Sequence, residues 1–170
     1  MTGSWCRLRS LRCVDVGVAF EEDELWQFVA TCHTGILTTL RADGWPVAVP
    51  VWFIVNDRRV YVRTPARTGK VAHVGGDPRV CFTVEAGLSW AELRAVVLTG
   101  RATLVPAGDE HAMVIEGVAD KYRDFGIPVD DVPAATHRHY DTETAVLRID
   151  PDGRGVSWDN RKLRRPRGPA

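Results

Sequence analysis

The segment 35–78 constrains the fold most, because short apolar strands alternate there with strong turn signals. Asp43-Gly44 is a dipeptide that favours a tight β-hairpin, and Asn56-Asp57 marks a second turn. Two successive hairpins favour an antiparallel sheet over a parallel one. The predicted strands of this segment are 35–40, 45–55 and 59–64.

The flanking sequence adds helices and further strands to this sheet. Leu25, Phe28 and Val29 share one face of a predicted helix whose first turn is acidic. Gly100 lies inside the longest predicted strand, which indicates a bulge or a bend. The predicted helices are 21–32, 69–74 and 107–123, and the further strands are 79–85, 93–105, 144–149 and 156–158. We therefore expect a mainly β fold, a β-barrel with flanking helices.

Two prolines interrupt the predicted strand 45–55. Pro46 and Pro50 lack the backbone N–H that a central strand donates, so this strand is expected at an edge or a bulge. The edge beside Val51, Trp52 and Phe53 is then either open to solvent or covered by a bound group. The pattern alone favours a solvent-facing edge that proline protects from pairing.

Composition narrows the function classes. The 170 residues suffice for one domain with a sizeable core, and Lys plus Arg equal Asp plus Glu at 22 each. A net charge of zero argues against nucleic-acid binding through a bulk positive field. No apolar run approaches the ~18 residues that span a bilayer. The four cysteines lack CxxC spacing, which is typical of reduced thiols in a cytoplasmic protein.

Three regions are expected along the chain. Residues 1–18 lack both an apolar stretch and a cleavage motif, so they are predicted to be a disordered leader rather than a secretory signal. Residues 19–160 form the predicted barrel domain. Residues 161–170 form a basic tail.

The segment from Thr64 to Lys70 carries hydroxyls and cations immediately before a predicted helix. Thr64, Arg67, Thr68 and Lys70 lie within seven residues of one another. A phosphate monoester is bound by such cations and short donors, and the N-terminus of a helix adds N–H groups. The segment therefore predicts a phosphate-binding corner or, equally, an ordinary polar loop with a capping threonine.

Other catalytic motifs are absent from the sequence. There is no GxSxG, P-loop, HExxH or GxGxxG pattern, so hydrolase, nucleotide triphosphatase, zincin and Rossmann classes lack support. His137 and His139 form a close pair, and a solvated loop explains them better than a metal site does. No catalytic side chain and no metal site are predicted.

Several short motifs follow one another in a characteristic order. They are Thr34-Gly35-Ile36-Leu37-Thr38-Thr39-Leu40, Asp43-Gly44-Trp45-Pro46, Pro50-Val51-Trp52-Phe53, Thr68-Gly69-Lys70 and Asp77-Pro78-Arg79-Val80. This order resembles the FMN-binding split β-barrel superfamily, which includes pyridoxamine 5′-phosphate oxidases and flavin or deazaflavin oxidoreductases. The chain is most similar to the branch that uses the deazaflavin coenzyme F-420. The resemblance covers residues 20–105 and, weakly, 157–159.

The resemblance implies a homodimer of six-stranded antiparallel Greek-key split β-barrels, with two cofactors in the clefts between subunits. Thr64, Thr68 and Lys70 would hold the cofactor phosphate, and the strand edge 50–53 would lie along the isoalloxazine ring. Trp158 and the basic tail would reach the partner's site. The expected cofactor-binding residues are Pro50, Val51, Trp52, Phe53, Arg63, Thr64, Arg67, Thr68, Lys70, Arg79 and Trp158.

The implied activity is that of an oxidoreductase in which reduced F-420 transfers hydride to an electron-poor C=C or C=N bond of a small molecule. F-420 is favoured over FMN because its anionic lactyl and polyglutamate extension needs cations beyond the phosphate corner. The cations expected to serve it are Arg63, Arg67, Arg79, Arg161, Lys162, Arg164 and Arg165. One alternative is an FMN-dependent pyridoxamine 5′-phosphate oxidase-like enzyme, although 158–163 matches the substrate-binding tail of those oxidases only faintly. The others are a flavin or haem carrier without turnover and a purely structural dimerisation module. Neither a nucleic acid nor a membrane is an expected partner.

Overall fold

A computed structural model describes residues 18–126, 143–153 and 155–163. The α-helices in these ranges are α1 (Glu22–Thr31), α2 (Gly69–Gly76) and α3 (Asp109–Lys121). The strands are β1 (Gly35–Leu40), β2 (Pro46–Val51), β3 (Ile54–Asn56), β4 (Arg59–Pro65), β5 (Arg79–Ala86), β6 (Arg94–Leu104), β7 (Thr144–Pro151) and β8 (Val156–Asp159). Short 3₁₀ helices cover Trp90–Glu92, Arg123–Phe125 and Asn160–Leu163.

The eight described strands form one antiparallel sheet. Its strand order is β2-β1-β5-β6-β7-β4-β3, and β8 pairs with β6. β2 and β3 therefore lie at the two ends of this order. The mainly β fold class with flanking helices that the sequence predicts is confirmed.

The predicted strand 45–55 is two strands in the structure. β2 ends at Val51 and β3 begins at Ile54, so Trp52 and Phe53 lie outside both ladders. This division and the separate β8 bring the described strands to eight, where the resemblance implied six. Among the described strands β2 pairs with β1 alone, and an edge strand tolerates its two prolines.

β6 changes partners along its length. One edge pairs with β5, while the other pairs with β8 over 94–97 and then with β7 over 100–104. Gly100 lies where pairing with β7 begins, and a Cβ at this position would lie 2.3 Å from the Asp150 carbonyl oxygen. Close approach of two strands therefore explains the glycine that the sequence marks as a special position.

Two apolar cores meet at β4. Val60 and Val62 face the larger core, whereas Tyr61 faces a smaller core that α3 covers. This division follows from the strand geometry, since successive side chains point to opposite faces. The larger core also contains Phe28, Val29, Leu37, Phe53, Phe82 and Leu147. The smaller core also contains Ile54, Val105, Val114, Val118, Tyr122 and Val146.

Both ends of the barrel domain are fixed to β8. The Val18 carbonyl accepts a hydrogen bond of 2.7 Å from the Asp159 amide, although residue 18 was predicted to belong to the leader. Arg161 Nε donates to the Asp159 carboxylate at 2.9 Å, and Lys162 Nζ donates to Glu24 at 2.6 Å. The first residues of the predicted basic tail are thus part of the fold.

Several predictions concern residues outside the described ranges. These are the leader over 1–17, the histidine pair His137 and His139, and the tail cations Arg164 and Arg165. Within the described ranges, no helix combines the length and the apolar character that a membrane crossing needs.

Candidate cofactor site

Three residues predicted to hold a phosphate lie together where β4 ends and α2 begins. Lys70 Nζ donates to the Thr64 hydroxyl oxygen at 2.9 Å, and the hydroxyl oxygens of Thr64 and Thr68 are 3.5 Å apart. Thr68 Oγ1 donates to the Pro65 carbonyl at 3.0 Å. Thr68 lies at the N-cap position of α2, but its side chain makes no capping hydrogen bond, so the capping role in the alternative is wrong while the polar loop itself stays open. We call Thr64, Thr68 and Lys70 the hydroxyl–lysine corner.

Lys70 is a half-buried cation without an anionic partner in the described part of the chain. Burial lowers the pKa of Lys70 from its usual 10.5, and no carboxylate in the ranges that the structure describes opposes this shift. Thr64 is also buried, with 6% of its surface exposed. A bound anion would offset the cost of burying the ammonium group, and the first N–H groups of α2 lie beside it. The corner therefore fits a phosphate group.

The edge of β4 beside this corner is open. β3 pairs with β4 only as far as Tyr61, and no described strand pairs with that edge from Val62 to Pro65. Backbone N–H and C=O groups on such an edge are available to a ligand. An open edge next to a phosphate corner suits a planar heterocycle that carries a phosphate arm.

A depression of about 190 Å³ lies beside this edge. Trp52 reaches it from the connection between β2 and β3, and Val118 reaches it from α3. The structure thus brings the predicted residues Trp52, Arg63 and Thr64 together. The full lining is Trp52, Arg63, Thr64, Pro65, Val118 and Thr144.

Tyr122 holds the irregular connection between β2 and β3. Its hydroxyl oxygen accepts a hydrogen bond from the Phe53 amide at 2.9 Å, and its proton is shared between the carbonyl oxygens of His33 (2.7 Å) and Phe53 (2.8 Å). Its ring stacks on Trp52, with centroids 4.3 Å apart and 5° between the planes. Burial raises the pKa of Tyr122, so the hydroxyl remains a donor at neutral pH. Trp52 is therefore held in a fixed orientation at the depression.

Phe53 does not match its predicted role. Its ring is completely buried, and its amide and carbonyl are both bonded to Tyr122. These backbone groups are therefore not available to a cofactor ring. Within the predicted segment 50–53, Pro50 and Trp52 are exposed and Val51 is buried.

Lys121 fixes the end of α3 against the end of α1. Its Nζ donates to the Cys32 carbonyl at 2.7 Å and lies 4.1 Å from the centroid of the Phe53 ring. Burial lowers the pKa of Lys121 to about 8. The contact anchors the helix that supplies Val118 and, just beyond its end, Tyr122.

The other predicted arginines differ in their partners. Arg63 and Arg67 are exposed, and neither forms an ion pair with a carboxylate of the described residues. Arg79 pairs with Asp77 at 2.6 Å beyond the far end of α2, a helix of eight residues and about 12 Å. Hydrogen bonds from Arg79 lower the pKa of Asp77 to about 2. Arg79 is thus committed to a partner away from the corner.

Trp158 and two tail cations lie in or just after β8. Trp158 is half-buried in a strand that pairs with β6, so its predicted contact with a partner's site stays a prediction. Arg161 is bonded to Asp159, a carboxylate with 1% of its surface exposed, and Lys162 is bonded to α1. Bonds within the chain occupy both cations, which weakens the prediction that they bind a coenzyme extension.

Sequence reasoning missed three residues that shape the site. Val118, Tyr122 and Thr144 are each 48 or more positions from Lys70, and no motif marks them. The available signal was the spacing of Val114, Val118 and Tyr122 by four residues, which places them on one face of a helix. That spacing predicts a buried face but not a contact with the β2–β3 connection.

The chain matches one protein-family model over most of its length. Residues 21–154 match the model described as pyridoxamine 5′-phosphate oxidase. The chain therefore belongs to this family. No curated protein matches it.

Solved structures share the fold of this chain. The conserved hypothetical protein Rv2991 from Mycobacterium tuberculosis is 29% identical, with a TM-score of 0.74 over 91% of this chain and 94% of that chain. A FAD-binding protein from Mesorhizobium loti is 16% identical, with a TM-score of 0.63 over 82% of this chain and 93% of that chain. HutZ, the heme storage protein from Vibrio cholerae, is 15% identical, with a TM-score of 0.63 over 81% of this chain and 94% of that chain. The last two likenesses show the fold alone, that of the split β-barrels.

Proposed function

We propose that this chain is a homodimeric oxidoreductase that uses the deazaflavin coenzyme F-420 to reduce an electron-poor bond of a small molecule. The observation that carries the proposal is the hydroxyl–lysine corner beside the open edge of β4. Lys70 is a half-buried ammonium without a carboxylate among the described residues, and Thr64 lies within hydrogen-bonding distance of it. This donor set suits the phosphate on the ribityl arm of a flavin or deazaflavin. When bound, the coenzyme supplies the hydride that reduces the substrate.

The protein would hold the coenzyme at two ends. Lys70 and Thr68 bind the phosphate at the start of α2. The open edge of β4 from Val62 to Pro65 would lie along the ring system, and Trp52, fixed by its stacking on Tyr122, would border the ring beside the depression. A surface that is already ordered binds at a lower entropic cost and orients the ring for reaction.

A second copy of the chain is needed to complete this site. The depression in one chain measures about 190 Å³, whereas pockets for molecules of this kind have roughly 300–1,000 Å³. The side chains of β1 and β2 that point away from the larger core are all uncharged: Ile36, Thr38, Leu40, Pro46, Ala48 and Pro50. An uncharged sheet face at an edge suits burial against an identical face. We therefore propose a homodimer whose partner covers the coenzyme.

F-420 is proposed over FMN because a cation next to the corner in sequence pairs with no carboxylate of the described residues. Arg67 is exposed and follows Thr64 by three residues, so it is placed to bind the anionic extension that F-420 has and FMN lacks.

The name of one structural relative, a heme storage protein, supports a second candidate function: a cofactor carrier without turnover.

Titration of the purified full-length apoprotein with F-420 and FMN, followed by cofactor fluorescence, tests the proposal. We expect F-420 to bind more tightly than FMN, and Arg67→Gln to reduce this difference. Light scattering is expected to give twice the chain mass of 18.9 kDa with cofactor bound. Tight binding of FMN without any binding of F-420 would replace this proposal with a flavin-dependent one. Binding without steady-state reduction of any acceptor would favour the carrier.

A further inference from the structure

We propose that the depression beside Trp52 is a subsite for the carboxylate of a small, planar substrate, with Arg63 as the residue that binds the carboxylate. This inference rests on the proposed function, since it names the substrate class of the same site. It also assigns to Arg63 a role different from the cofactor contact that the sequence predicts. The depression is lined by Trp52, Arg63, Thr64, Pro65, Val118 and Thr144.

Arg63 and the hydroxyl–lysine corner lie on opposite faces of β4. Side chains alternate along this strand, and Tyr61 points toward α3 while Val60 and Val62 point into the larger core. Arg63 therefore shares the α3 side with Tyr61. Thr64 also borders the depression, but its side chain points to the other side of β4, where Lys70 donates to its hydroxyl oxygen. A phosphate bound by Thr64 and Lys70 consequently leaves the guanidinium of Arg63 without an anion.

Most arginines of the described chain already have a carboxylate partner. Arg63 has none, although it is exposed at the wall of a depression. The guanidinium fork matches one carboxylate through two parallel hydrogen bonds, whereas a phosphate dianion calls for more cations than this wall offers. The arginines that pair with carboxylates are Arg41, Arg58, Arg59, Arg79, Arg123, Arg148 and Arg161.

The remaining walls of the depression suit a flat apolar body. Trp52 presents a ring that Tyr122 holds in place by stacking, and Val118 and Pro65 add apolar surface. Thr144 of β7, which pairs with Pro65, adds a polar residue to the lining. The volume of about 190 Å³ is small for a cofactor but suits a compact ligand. An unsaturated or aromatic monocarboxylate satisfies both the flat walls and the single cation.

Two sources can supply such a carboxylate: a substrate, or the polyglutamate extension of the coenzyme itself. The glutamate side chains of the extension lack a planar apolar body, so the wall formed by Trp52 and Val118 favours the substrate. Binding measured with and without F-420 distinguishes the two sources.

The test is calorimetric titration of the full-length protein with cinnamate and with its uncharged analogue cinnamamide. Because the arginine is exposed, the expected preference for cinnamate is about tenfold. The variant Arg63→Gln should bind both probes equally. The matched control Arg101→Gln, which removes an exposed arginine of β6 outside the depression, should keep the preference. Equal binding of the two probes to the unchanged protein, or a preference that survives Arg63→Gln, would overturn the subsite.

The same titration on protein saturated with F-420 identifies the source. An unchanged affinity for cinnamate supports the substrate assignment, and competition between cinnamate and F-420 overturns it in favour of the coenzyme extension. Coenzyme fluorescence reports F-420 binding independently of the calorimetric signal. Failure of coenzyme binding is therefore distinguishable from failure of the carboxylate subsite.

Discussion

Removal of one hydroxyl group should loosen the connection that positions Trp52. Tyr122→Phe keeps the ring that stacks on Trp52 but removes the acceptor of the Phe53 amide and the donor to the His33 and Phe53 carbonyls. Phe53 is completely buried, so water cannot replace the lost acceptor without opening the core. A buried donor left without a partner costs about 1–3 kcal/mol, and we expect the free energy of unfolding to fall by about 2–3 kcal/mol.

A matched control is available in Tyr61→Phe. Tyr61 is as deeply buried as Tyr122, and its hydroxyl donates to Glu110 at 2.8 Å. Glu110 keeps its ion pair with Arg148 at 3.2 Å and is partly open to solvent, so it stays satisfied without the tyrosine. The expected loss for Tyr61→Phe is about 1 kcal/mol or less.

Urea unfolding of both variants, followed by circular dichroism, measures the two losses. Each variant loses the near-ultraviolet bands of the tyrosine it replaces, so the tryptophan bands of the folded proteins are compared, which report the packing of Trp52 against residue 122. We expect the tryptophan bands to change in Tyr122→Phe alone. Equal stability losses in the two variants, together with unchanged tryptophan bands in Tyr122→Phe, would refute the role given to Tyr122.

Three further predictions concern the ends of the fold. Deletion of residues 1–17 should leave the melting temperature unchanged. Deletion of 1–20 should lower it by roughly 6–12 °C, because Phe20 is buried and stacks on Phe28 at 5.1 Å. A similar loss in both truncations, measured by scanning calorimetry, would contradict this expectation. Neutralising Arg161 and Lys162 together should lower the melting temperature and leave the dissociation constant of F-420 nearly unchanged. A weakened affinity for F-420 with an unchanged melting temperature would show that these cations bind coenzyme. Arg161 holds the pKa of Asp159 below its usual 3.8, so this carboxylate stabilises the fold above that pH and loses its contribution as the pH falls through the lowered value. The stability difference between the unchanged protein and Asp159→Asn, measured by urea unfolding, should therefore narrow below pH 3.8, and a constant difference would argue against the ion pair.

Local sequence patterns predicted the parts of the fold whose partners are near in sequence. The apolar face at Phe28 and Val29 predicted α1, and Asp43-Gly44 predicted the hairpin of β1 and β2. The hydroxyl–lysine corner was also predictable, because its three residues lie within seven positions of one another where β4 leads into α2. In these cases the physical cause of the structure is contained in the segment itself.

Contacts between distant segments decided what the sequence could not predict. The run Val51-Trp52-Phe53-Ile54 is uninterrupted and apolar, so it predicts one strand, and Tyr122 divides it from a position 69 residues away. Similarly, Lys162 is a cation in a basic run, and only the fold shows that Glu24, 138 residues away, binds it. Neither contact has a local pattern, because each depends on how α3 and β8 lie against the sheet.

The most direct test of the phosphate corner is a thermodynamic cycle between Lys70 and the ligand's phosphate. Dissociation constants are measured for the unchanged protein and Lys70→Met with F-420 and with its ribityl chromophore lacking the phosphate arm, and in parallel with FMN and riboflavin. If Lys70 binds the phosphate, the substitution weakens binding of the phosphorylated ligand by about 1.5–3 kcal/mol, roughly 10–150-fold. The affinity for the ligand without phosphate then stays nearly unchanged. Equal weakening of both members of a pair, or no binding of either pair, would contradict the assignment of this corner to a cofactor phosphate.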